Sequence, residues 1–61
     1  MTTYNVSFLK NDVYQSNLVK TSKSPVEIAQ YFIDVKHVHE VLGINIATAD
    51  DNRPGKPVLE I

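Results

Sequence analysis

The stretch Ser24-Pro25-Val26-Glu27 constrains this chain more than any other, because it fixes where a helix must begin. Ser24 can accept a hydrogen bond from the backbone N–H of Glu27 while the Glu27 carboxylate reaches back to the N–H of Ser24. Pro25 then takes the first helical position, where its missing donor costs nothing. Ile28, Phe32 and Val35 follow at spacings of four and three, Ala29 and Ile33 broaden the stripe, and Gln30 and Asp34 lie opposite. Such a stripe needs an apolar surface to lie on, and the flanking segments must supply it.

Upstream, Tyr4, Val6 and Phe8 alternate with Thr3, Asn5 and Ser7, the period of a half-buried strand. Asn11 and Asp12 are turn residues that tolerate left-handed backbone, and residues 13–21 form a second strand. Its register is open to argument. A two-residue loop sets Val6 opposite Asn17 and Phe8 opposite Gln15, which mixes core with solvent on one face. An odd-numbered loop or a bulge sets Val6 against Leu18 and Phe8 against Ser16, with Tyr14 on the same side, and is the expectation.

Downstream, Lys36-His37-Val38-His39-Glu40 invites a metal reading. If the helix ran on to Leu42, the two histidines would lie about 200° apart around its axis and could not share an ion. The β-branched residues after Lys36 and the alternation of Leu42, Ile44 and Ile46 instead suit a helix that ends near Lys36, a connection over 37–40 and a third strand. In extended backbone His37 and His39 would point the same way. With no cysteine and no further histidine there is still no third ligand of that kind, so the two are read as polar residues at the helix end, near the negative pole of its dipole.

In the last segment, Asp50-Asp51-Asn52-Arg53-Pro54-Gly55 resembles half a calcium loop, but Pro54 sits where an oxygen ligand belongs and the twelfth residue from Asp50 is Ile61. Arg53-Pro54-Gly55-Lys56 reads better as a type II turn with Gly55 at positive φ. It leads into a terminal strand with Leu59 and Ile61 facing in and Val58 and Glu60 out, and Pro57 marks a strand start or an edge.

The expected architecture is a single small α+β domain over residues 1–61. Its order is ββαββ, with one helix on a small antiparallel sheet of spatial order 2-1-3-4. The core comprises Val6, Phe8, Leu18, Ile28, Phe32, Val35, Leu42, Ile44, Ile46 and Leu59, with Tyr4 at its rim. The outer face carries Leu9, Val13, Val19 and Val58. With 61 residues, such a chain buries only about 60% of the surface its unfolded form exposes. The absence of cysteine leaves no disulfide to staple it and fits a reducing, cytoplasmic setting. There is no apolar run long enough to span a membrane.

Function is read mostly by exclusion. Only two glycines, Gly43 and Gly55, are present, so a glycine-rich phosphate loop is ruled out, and no nucleophile motif occurs. Asp50 and Asp51 are adjacent turn acids, better solvated than catalytic. No enzyme activity, cofactor or metal is expected. The favoured reading is a protein-interaction or accessory module that associates with itself. Asp50, Asp51, Asn52, Arg53 and Lys56 form its candidate interaction loop. The alternative is weak nucleic-acid binding, with Tyr14 and Tyr31 stacking on bases and Lys10, Lys20, Lys23, Arg53 and Lys56 meeting phosphates. Three lysines against one acid in residues 1–23 make a thin basic patch for that role.

The segments SNLVKT, EIAQYF and ATADDNRPGKPVLEI together resemble small uncharacterised bacterial proteins associated with Firmicutes and their mobile elements. The resemblance covers most of the chain and implies a stand-alone accessory protein of phage or plasmid origin, with no activity or ligand attached.

Overall fold

The computed structural model describes residues 1–48 and 55–61. Strands β1 (Thr2–Lys10) and β2 (Val13–Thr21) form a hairpin, helix α1 (Pro25–Asp34) follows, and β3 (Glu40–Ile46) and β4 (Val58–Glu60) complete the sheet. The α+β class and the element order are those read from the sequence. The sheet order is β3-β1-β2-β4. In place of the expected 2-1-3-4 antiparallel sheet, β4 lies beside β2 and runs parallel to it, so the sheet is mixed.

The hairpin uses the register that the apolar pattern disfavoured. Val6 faces Asn17 and Phe8 faces Gln15 across a two-residue loop. Asn11 and Asp12 both take positive φ, 53° and 62°, the conformation of a type I′ turn, whose twist matches that of the strands it joins. Little burial is lost by this register because α1 lies off-centre. Its backbone approaches β3 closely and stays farther from β1 and β2, so Gln15 and Asn17 remain in solvent although they share the helix side of the sheet.

This displacement also explains the place of β4. Leu59 sits beside Val19 in the parallel register. With Ile61 it packs on the core, over the part of β2 that the helix leaves open. The Thr21 hydroxyl donates to the Ile61 carbonyl at 3.0 Å, and the Ile61 N–H donates to the Lys20 carbonyl at 3.2 Å.

The helix begins as its sequence specifies. Ser24 Oγ accepts from the Glu27 N–H, and Glu27 Oε1 accepts from the Ser24 N–H at 3.2 Å and from its hydroxyl at 3.1 Å. These contacts, the backbone N–H first, hold the Glu27 carboxyl below its usual range, with Lys23 adding to the effect.

The core is Val6, Phe8, Val19, Ile28, Phe32 and Val38, with the Phe8 and Phe32 rings tilted at 5.3 Å between centroids. Each such side chain contributes roughly 1.5–3 kcal/mol when fully buried. Several expected members lie elsewhere. Leu18 is buried, but on the face away from the helix, where Val58 is its neighbour on β4. Val19 faces in rather than out. Val13 shares the helix side of the sheet by register yet lies exposed. Val35 is the C-cap of α1, and with Ile33 it is open to solvent. A bulge shifts β3 between Ser7 and Phe8, so that Val41 takes the place opposite Phe8 and Leu42 is left unpaired and 46% exposed. Ile44 packs on the core, whereas Ile46 pairs with Tyr4 at the outer edge and is 71% exposed.

Candidate functional site

The histidine connection is structural in its geometry. His37 takes positive φ, 56°, just beyond the helix end. Its backbone is therefore not extended, and the expected alignment with His39 fails. The turn brings the Val38 N–H to the Phe32 carbonyl at 3.2 Å and the His39 N–H to the Leu9 carbonyl at 2.8 Å. Val38, between the two imidazoles, becomes a core residue at 5% exposure. Both histidines line an open depression with Asn11 and Asp12. Among the described residues no group of three His, Cys, Asp or Glu side chains could hold a metal ion.

Of the candidate interaction loop, Asp50, Asp51, Asn52 and Arg53 lie outside the described residues. So does Pro54 of the expected turn. Gly55 has the positive φ, 91°, that the turn requires. Lys56 and Pro57 border a groove of 300 Å³ with Asn5, Ser16 and Leu18. A further groove of 170 Å³ opens between α1 and β2 on the other side of the sheet, where Phe8, Lys10, Gln15 and Lys36 meet.

The remaining feature is the state of the two sheet edges. On one side stands β4, three residues long and preceded by Pro57 and Lys56. A short strand, a proline and a lysine are the usual means by which an edge is kept from pairing. On the other side stands β3, seven residues with neither proline nor lysine. The Thr3 and Leu9 carbonyls accept from Ala47 and His39. Odd-numbered residues of β1 therefore point their backbone groups at β3, and Asn45, opposite Asn5, points back. By the alternation of an antiparallel ladder, Ile44 and Ile46 direct their N–H and C=O groups outward. Exposed Leu42 and Ile46 side chains lie along the same edge.

The expected sheet order put the edges on β2 and β4; β4 is an edge, but the second edge is β3, and of the expected outer apolar residues Val58 is exposed on that face whereas Val19 is buried in the core. The missing signal was present in part, since Pro57 marks β4 as an edge, whereas β3 has neither proline nor lysine and its protection is confined to Glu40 and the bulge at Leu42 near its start.

No protein-family model, curated protein or solved structure matches the chain. No helix among the described residues is long and apolar enough to cross a membrane.

Proposed function

We propose that this chain is a small protein-interaction module without catalytic activity, and that it self-associates by pairing β3 of one copy antiparallel with β3 of a second. The observation that carries this reading is the contrast between the guarded β4 edge and the Gly43–Ile46 stretch of β3 beyond its bulge, with Ile46 exposed beside backbone groups that no strand among the described residues pairs. Pairing two copies makes one continuous sheet and covers apolar surface that a chain of this size can ill leave in water. A total stability of about 3–9 kcal/mol leaves a second copy considerable leverage. The absence of cysteine suits an accessory protein working in a reducing cytoplasm.

Sedimentation equilibrium tests it. The native chain is expected at twice the monomer mass at high concentration, and its melting temperature is expected to rise with concentration. Ile46→Lys, which adds a guarding charge, should give a monomer whose melting temperature is independent of concentration. A native chain that stays monomeric to millimolar concentration ends the proposal.

A nucleic-acid reading draws support from Tyr14, which is exposed on the face away from the helix. Tyr31, its intended companion, lies edge-on to Phe32 with ring centroids 6.0 Å apart and packs against the core. One stacking platform without a second favours the protein partner.

A further inference from the structure

We infer that the groove between α1 and the hairpin, on the helix side of the sheet, binds a small aromatic carboxylate. The site is separate from the β3 edge on which self-association rests. Its shape follows from the hairpin register. Phe8, Lys10, Gln15 and Asn17 all project to the helix side, because β1 and β2 pair Phe8 with Gln15 and Val6 with Asn17. The helix backbone lies nearer β3, and the space left between α1 and these residues amounts to 170 Å³. Roughly 150 Å³ accommodates a benzene ring. Phe8 and Phe32, tilted with centroids 5.3 Å apart, form the floor. Every described lining residue falls between Phe8 and Val38, whereas Lys56 and Pro57 belong to the groove that contains Asn5 and Leu18, on the opposite face of the sheet.

The polar lining selects the ligand. Lys10 ends β1 at the hairpin turn. Lys36 lies between the C-cap of α1 and the left-handed turn at His37, which the bonds from Val38 to Phe32 and from His39 to Leu9 fasten. Both lysines are half-buried, so their stems cover the walls while their ammonium groups stay in reach of an anion. No side-chain hydrogen bond or ion pair among the described residues engages Lys10, Gln15, Asn17 or Lys36. Gln15 and Asn17 thus occupy the core side of the sheet without adding either apolar burial or a bond to the fold. In the groove their carboxamides are donors for the carboxylate that the two lysines attract. A ring on that carboxylate would meet the Phe8 and Phe32 pair, which favours tilted or edge-on aromatic contact.

Titration of the isotope-labelled full chain with benzoate and with its neutral isostere benzamide, followed by backbone and carboxamide chemical shifts, tests this. Benzoate should bind in the millimolar range, roughly threefold or more tightly than benzamide, and should move the Gln15 and Asn17 carboxamide signals. Lys10→Gln and Lys36→Gln should each weaken it, whereas Lys20→Gln, on the opposite face of the sheet by register, should leave binding unchanged. Asn17→Val should lower the affinity without lowering the melting temperature, which separates a ligand contact from a structural one. The Ile46→Lys variant should bind as the native chain does, which separates this groove from the β3 edge. Equal binding of benzamide, shifts that map away from the groove, or affinity that survives both lysine changes in folded variants overturns the inference. So does binding that emerges only when Asp50 and Asp51 are changed to Asn, since the chain's own acids would then hold the two lysines.

Discussion

Replacing Asp12 by glycine should stabilise the protein, and the size of the gain follows from the hairpin. Asp12 holds φ at 62°, where a residue with a Cβ is strained by roughly 1–2 kcal/mol, less for Asp and Asn than for others. Glycine removes that strain and gives back about 0.5–1 kcal/mol through the greater freedom of the unfolded chain. The net is a gain of about 0.5 kcal/mol, or roughly 2–4 °C in melting temperature for a chain this short. Asparagine followed by glycine is also the preferred pair for a type I′ turn, and the substitution would create it behind Asn11. Asp12→Ala should move the other way by about 1 kcal/mol, because alanine bears the full left-handed strain. Asp12→Asn removes the charge yet tolerates the backbone, and should be close to neutral. Thermal and urea unfolding followed by circular dichroism, at micromolar protein to suppress association, would measure all three. If Asp12→Gly destabilises, or if alanine and glycine behave alike, then this turn is not type I′. The register of the whole hairpin would have to shift with it.

Val38→Ala should cost about 2 kcal/mol in urea unfolding, from two buried methyl groups at roughly 0.8 kcal/mol each plus the space they leave. A loss under about 0.5 kcal/mol would contradict its place in the core. Zinc added to the native chain and to a His37→Ala, His39→Ala variant should leave each melting temperature where it was, since the connection is built from backbone bonds. A rise confined to the native chain would restore the metal reading. Glu27 is stabilised in its ionised form by the Ser24 N–H and hydroxyl, so its contribution to stability is present above its ordinary pKa of 4.5 and is lost as pH falls through its lowered value in the fold. Glu27→Gln keeps a capping side chain but no charge. Its melting temperature should therefore fall less steeply than that of the native chain below pH 4.5.

Signals held between near neighbours could be read from the sequence, and decisions made at a distance could not. The capping box of Ser24 and Glu27, the alternation of Tyr4, Val6 and Phe8, the helix end before His37 and the positive φ of Gly55 each rest on a few consecutive residues. The register of β2 did not yield, because Val13, Tyr14, Leu18 and Val19 divide between the two faces and either register strands some of them. Matching apolar to apolar assumes that the helix covers the whole face. Its backbone lies nearer β3 than β1 or β2, while Ile28 and Phe32 reach Val6, Phe8 and Val19, and that placement leaves Gln15 and Asn17 in solvent. The β3 bulge likewise moved Leu42 out and Val41 in, a swap invisible to strict alternation. Val38 was obscured by its neighbours, since a valine between two histidines reads as part of a polar connection. The expected interaction loop rested on composition at residues 50–53. The open edges follow from sheet order, which depends on where β4 docks.

The docking of β4 bears on how the chain assembles in time. The hairpin closes across two residues, whereas the bond from Thr21 to Ile61 joins positions 40 apart in sequence. Contacts so distant must first overcome the entropy of closing a long loop, so the hairpin should form within microseconds and the terminal strand arrive late. Having only three residues of parallel pairing, that strand should also be the first to exchange its amide protons. Each such opening uncovers Leu18 on one face and Val19 on the other, so this end of the molecule sets how long the folded form persists between excursions.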